Sequence, residues 1–88
     1  MEFRWNEWNL EHATSHGVDV EEIEALIEGA RAPFPEDVGN GRFQVVGRGR
    51  GGRYIQAMYV MDEGGPVYVI HARPLRDPEK RRFRRRMR

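Results

Sequence analysis

The 88-residue chain has no cysteine, which excludes disulfide staples and thiolate-ligated metals. That composition suits a reducing compartment, and a cytoplasmic location is the expectation. The opening MEFRWNEW carries neither a basic leader nor an apolar run, so no secretory signal is read there. Nothing approaches the ~20 consecutive apolar residues that a bilayer span requires, and no membrane partner is expected. There is no internal repeat. Lysine is nearly absent as well: Lys80 is the single one, beside fourteen arginines. A chain this short supports one small domain, residues 1–88, burying a little over ~60% of its extended surface.

What is present is charge, unevenly placed. Residues 1–44 hold ten acidic and three basic side chains, net −7, and residues 45–88 hold four acidic and twelve basic ones, net +8. A fold that kept these halves apart would offer one face to phosphates and another to a basic partner. Arginine in place of lysine suits planar, bidentate contacts to phosphate or carboxylate.

Residues 2–5 read as a short strand, followed by a helix capped at Asn6 or Asn9 that runs to about His16. Asp19 with Glu22 fits a capping box for a second helix, which ends at Gly29 and has Val20, Ile23, Leu26 and Ile27 on one face. ARAPFPEDVGNG, residues 30–41, reads as a loop. Strand patterns follow at 42–50, 53–61 and 67–73, joined by Gly51-Gly52 and DEGGP at 62–66 into an antiparallel meander. Asp77 as cap and Pro78 in the first turn open a last helix. The fold class expected is α+β, in the order β-α-α-β-β-β-α. Two N-terminal helices lie on a small antiparallel sheet, with a short basic helix at the C-terminus.

Three groups could carry chemistry. Strand alternation places Val67, Val69, His71 and Arg73 on one face and Tyr68, Ile70 and Ala72 on the other, so His71 and Arg73 face a groove or solvent. GRGRGGR gathers Arg48, Arg50 and Arg53 with four glycines at one sheet end. Such a tip is either an anion site of guanidinium and backbone N–H groups or a solvated hairpin end. The last helix aligns Arg76, Lys80, Arg84 and Arg88, flanked by Arg81 and Arg85, while Phe83 and Met87 dock it. That run is a solvated face or a phosphate-backbone grip. His12 and His16 share a helix face, His12 as a packing or surface residue or as a functional one. With no HExxH glutamate and no ligand-spaced carboxylate, no metal is read and no cofactor is expected. Trp5 and Trp8 read as the seam between the first helix and the sheet. Cleavage of RNA by its own 2′-OH fits such a set, because it needs only a proton acceptor, a proton donor and cations at phosphorus.

Four segments carry a family resemblance: FRW before a short helix, HGVDVEEIE at 16–24, GGRYIQAMYV at 51–60, and VIHARPLRDPEKRRFRR at 69–85. In order and spacing the chain resembles the BrnT-type toxins of bacterial type II toxin–antitoxin modules, whose ribonuclease fold is akin to RelE. It also resembles a looser group of small proteins sharing WNxEHxxxHGV. The resemblance implies a metal-independent endoribonuclease restrained by a cognate antitoxin. The family's basic and polar positions correspond to Arg53, Arg73, Glu79 and the run from Arg81. The family's serine before Ala-Arg is His71 here, its helix tyrosine is Phe83, and its first-helix lysine has no counterpart, with His12 near that place. The expected catalytic set is therefore His71 or His12 as acid or base, Glu79 as a further base, and Arg53 and Arg73 on the scissile phosphate. Arg48, Arg50, Arg76, Lys80, Arg81, Arg84 and Arg85 are the expected RNA-backbone contacts. The alternative is a non-catalytic nucleic-acid-binding or complex-forming module on the same scaffold, and an edge strand offers a route to a homodimer.

Overall fold

A computed structural model of the chain describes residues 1–87; Arg88, expected in the basic row of the last helix, lies outside them. The helices α1 (Glu7–Thr14) and α2 (Val20–Glu28) precede four strands, β1 (Glu36–Gly39), β2 (Arg42–Arg48), β3 (Tyr54–Met61) and β4 (Val67–Pro74), and the helix α3 (Asp77–Arg86) ends the domain. The strands form one antiparallel sheet in sequence order. The α+β class with two N-terminal helices on the sheet is therefore observed, but the element order differs from the expected string in two places, at the N-terminus and directly after α2. Residues 2–5 form no strand and make a single parallel bridge, Phe3 to Val67. The stretch expected as loop supplies β1, because Asn40-Gly41, both at positive φ, close a tight hairpin onto β2.

Local chemistry sets the helix ends. Asn6 caps α1 through a reciprocal pair: its side-chain oxygen accepts from the Asn9 N–H at 3.1 Å, and that of Asn9 accepts from the Asn6 N–H at 2.7 Å. Asn9 also donates to the Arg4 carbonyl, so this fully buried amide has its main polar groups satisfied. Asp19 caps α2 by accepting from the Glu22 N–H at 2.8 Å. The other half of that box is missing, because the Glu22 carboxylate turns inward to Arg53.

Val18, Ile23, Leu26 and Ile27 pack with Val45, Ile55, Ala57, Tyr59, Val67, Val69 and Ala72 as the core between helices and sheet. The alternation along β4 is broken. His71 pairs with Met58 but Val69 with Tyr59, which leaves Ile70 as an extra residue in a bulge. Val67, Val69 and Ala72 face the helices, while His71 and Arg73 pair across to Met58 and Gln56 on the opposite face. The expected grouping of His71 and Arg73 with Val67 and Val69 fails for this reason: a single inserted residue reverses the pleat.

The GRGRGGR tip is anchored to the helices. Arg53 donates to the Gly17 carbonyl at 2.7 Å and to Glu22 Oε1 at 3.0 Å, tying the α1–α2 turn, α2 and β3 together. Arg50 lies 3.4 Å from Asp19 and 3.3 Å from Glu21. Gly49 makes this approach possible, since a Cβ there would stand 2.3 Å from Glu22 Oε2 and 2.8 Å from Ile55 Cδ1.

Gly49→Ala should therefore destabilise the domain by about 1–3 kcal/mol, the usual range for overpacking, in a urea titration. Arg53→Ala, which strands the buried Glu22 carboxylate, should lower Tm at least about twice as much as Arg50→Ala, whose partners are solvated. Equal losses would place the anchor elsewhere.

Candidate nucleic-acid interface

The sheet face away from α2 carries Gln44, Val46, Gln56, Met58, Tyr68, His71 and Arg73, and α3 lies over one end of it. Leu75, buried at the end of β4, leads into α3, and Phe83 docks the helix with its ring 5.3 Å from Tyr54 and 6.1 Å from Phe34. The N-cap is Arg76, one residue earlier than the sequence suggests, with Asp77 and Pro78 in the first turn. Glu79 Oε1 accepts from the Arg76 N–H at 2.8 Å.

Glu79 and Arg73 form a two-pronged pair, Nη1 to Oε1 at 2.8 Å and Nη2 to Oε2 at 2.7 Å, and Arg73 Nη1 also reaches the Pro74 carbonyl. This pair, with the Arg76 N–H next in effect, pulls the Glu79 carboxyl down to about 2. A carboxylate this acidic holds no proton near pH 7 and is a poor acceptor, so the expected role of Glu79 as a base gives way to a capping and anchoring role. Arg73 is likewise filled, and Arg53 is filled by Glu22 and Gly17. Neither guanidinium expected on the scissile phosphate is free.

His71 is half-buried. Burial first, then His16 and Arg73, hold its imidazole below the ordinary histidine value, so the ring is neutral at pH 7. Its neighbour is His16, with ring centroids 5.5 Å apart at 69°, and not His12. His12 stacks on Trp8 at 3.8 Å, and its Nδ1 lies 2.7 Å from the Trp8 carbonyl, which makes Nδ1 the donor and leaves Nε2 unprotonated in the neutral ring. Trp8 is half exposed, contrary to its expected place in the seam. It lies stacked 6.4 Å from Tyr68, whose ring Arg4 covers at 4.2 Å and whose hydroxyl donates to Asn6. Trp5 is half-buried against the core and donates to Glu24 on α2. Trp8, His12 and His16 recur every fourth residue, a visible sequence signal for this aromatic row once β4 is known to run beside α1. Among the described residues, no group of three or more His, Asp or Glu is placed to hold a metal.

The expected backbone contacts divide. Arg50 is paired with Asp19 and Glu21, and Lys80 lies 3.4 Å from Asp77. Arg48 donates to the Tyr54 hydroxyl at 3.0 Å and lies over its ring, without a carboxylate. Arg86 pairs with Glu36. Arg76, Arg81, Arg84 and Arg85 make no ion pair among the described residues, and neither does Arg82, which lies in the same run. All five are exposed.

No family model matches the chain, no curated protein matches it, and no solved structure matches it. Among the described residues, no helix is long and apolar enough to cross a membrane.

Because the Glu79 carboxyl is depressed on folding, its stabilisation is complete above pH ~4.5 and is lost as the pH falls toward 2. The pair is partly wet, so the contribution is on the order of 1–2 kcal/mol after solvent screening. Glu79→Gln should lower stability by that amount at pH 7 and flatten the acid limb of the stability curve between pH ~4.5 and 2, measured by urea unfolding. His71, likewise depressed, acts in the same direction at higher pH: resisting protonation, the folded state loses stability as the pH falls below ~6.5. His16→Ala should raise the His71 titration midpoint, read from its Cε1 proton by NMR; an unchanged midpoint would remove His16 from its surroundings.

Proposed function

We infer that the protein binds single-stranded RNA through the sugar–phosphate backbone, with α3 as the cationic grip. The observation that carries this reading is the row Arg81, Arg82, Arg84 and Arg85, exposed and without carboxylate partners among the described residues. By contrast, Arg4, Arg50, Arg53, Arg73 and Arg86 each have one. Four adjacent guanidiniums on so short a helix repel one another, and a polyanion relieves that repulsion. Such contacts position a strand without reading its bases. The half-exposed Trp8, stacked with His12 and Tyr68, supplies π-surface for unpaired bases, which favours single-stranded RNA over duplex. The alternative raised by the sequence, a non-catalytic nucleic-acid-binding module, thereby becomes the leading one.

Cleavage is the second reading, favoured by one observation: two imidazoles, His71 and His16, lie side by side, and His71 is held neutral. His71 would take the 2′-OH proton as that oxygen attacks phosphorus. His16 would give a proton to the departing 5′-oxygen, leaving a 2′,3′-cyclic phosphate. It ranks second because Arg53 and Arg73 are filled by Glu22 and Glu79. A toxin role with a cognate antitoxin, as in BrnT-type modules, rests on the sequence resemblance and belongs with this second reading.

Binding to a labelled oligouridylate should weaken with salt, and the joint change Arg81→Gln, Arg84→Gln, Arg85→Gln should reduce the log–log slope by about 2, or ~0.7 for each lost phosphate contact. An unchanged slope would remove α3 from the interface. The same RNA incubated in excess EDTA separates the two readings. Cyclic-phosphate products that disappear in His71→Ala would establish cleavage, and intact RNA with salt-dependent binding supports the module.

A further inference from the structure

We propose that the outer half of β2 is a strand-addition site for an extended, acidic and apolar segment of a partner protein. β1 pairs with β2 only at Arg42, Phe43 and Gln44. Beyond Gln44, residues 45–48 continue as strand with β3 on one side only. The hydrogen-bond phase of this half is set by its neighbours. The Gly49 N–H donates to the Arg53 carbonyl at 2.7 Å, in the same register as the β2–β3 pairs. Antiparallel alternation then turns the backbone groups of Val45 and Gly47 toward β3, and those of Val46 and Arg48 outward. Gln44 and Arg42, of the same phase, use that outward side to meet β1. The Val46 and Arg48 N–H and C=O groups have no partner there among the described residues. An open row of backbone N–H and C=O groups along a strand edge is a template for another strand.

The edge does not open onto flat surface. It forms the floor of a groove of about 620 Å³, with Leu26 and Ala30 on the α2 side and Tyr54, Phe83 and Met87 on the α3 side. A strand laid on Val46 and Arg48 would continue the line of β1 and send alternate side chains to these two apolar walls. Charge selects the occupant. The groove is lined by two guanidiniums, Arg31 and Arg48, and by no carboxylate, and neither arginine has an ion pair among the described residues. An added segment with apolar residues facing the walls and Asp or Glu at its rim matches the backbone, the walls and the charge together. A nucleic-acid strand matches only the charge. This surface is distinct from the α3 arginines inferred to hold RNA, so either reading can fail without the other.

Amide hydrogen exchange of the full chain, followed residue by residue by NMR, tests it. The probe is a degenerate pool of synthetic peptides about ten residues long, with Val, Ile or Phe alternating with Asp or Glu. This pool should slow exchange at Val46 and Arg48 by at least about tenfold. The same pool with Lys and Arg, and the acidic pool with alternate backbone nitrogens methylated, should not. Val46→Pro deletes an outward N–H and spares the β2–β3 ladder, and should abolish the protection at Arg48. Arg48→Glu, which leaves the backbone unaltered, should shift preference toward the basic pool. The proposal is overturned if the acidic pool at about 1 mM leaves both amides unchanged, or if the methylated pool protects them equally. Protection by oligouridylate, or by self-association of the chain without peptide, would overturn it as well.

Discussion

The two-pronged contact between Arg73 and Glu79 fixes the direction of α3, and through it the placement of most of the free positive charge. Glu79 holds the guanidinium at the end of β4 with both oxygens, and one of these also receives the Arg76 N–H. One carboxylate thus joins the sheet to the first turn of the helix. Phe83, against Tyr54 and Phe34, sets the rotation one turn later. With end and rotation both fixed, Arg81, Arg84 and Arg85 are directed outward as a set. A helix of ten residues carrying this much like charge would not persist alone, so the pair and the docked ring are what make the arginine row a surface and not a frayed end.

Carboxylates elsewhere decide which arginines remain free. The acidic first half and the basic second half are not held apart: Glu22 takes Arg53, Asp19 and Glu21 take Arg50, and Glu36 takes Arg86. The glycine-rich tip, which reads equally well as an anion site, is thereby turned into a clasp over the first turn of α2, and Gly49 provides the space for it. The charge left over collects on α3, and a smaller amount lies along the open half of β2. These two surfaces differ in kind. One is guanidinium-rich and solvated, suited to phosphates; the other offers backbone groups between apolar walls, suited to a strand.

Much of the fold was legible because its signals are local. Asn6 and Asp19 mark two helix starts, Gly29 ends one, and the period-two runs in β3 and β4 identify the sheet. The strand β1 was not legible, since Glu36–Gly39 has one apolar residue and owes its state to the Asn40-Gly41 turn and to pairing with β2. The bulge at Ile70 was not legible either, because alternation in sequence assumes an unbroken pleat. It moved His71 and Arg73 to the outer face. Residue types single out arginine and histidine as candidate groups, but which of them are paired depends on tertiary approach. Nothing near Arg53 in sequence announces Glu22, thirty-one positions earlier.

α3 starts at the end of β4, where Arg73 holds Glu79, and crosses the sheet so that Arg86 reaches Glu36 on β1. The most direct measurement is a titration of arginine-labelled protein with a short oligouridylate, followed through the guanidinium Nε–Hε signals. The account predicts that Arg81, Arg82, Arg84 and Arg85 shift together while Arg53 and Arg73, held by Glu22 and Glu79, stay in place. Shifts at Arg53 or Arg73 with silence along α3 would contradict it.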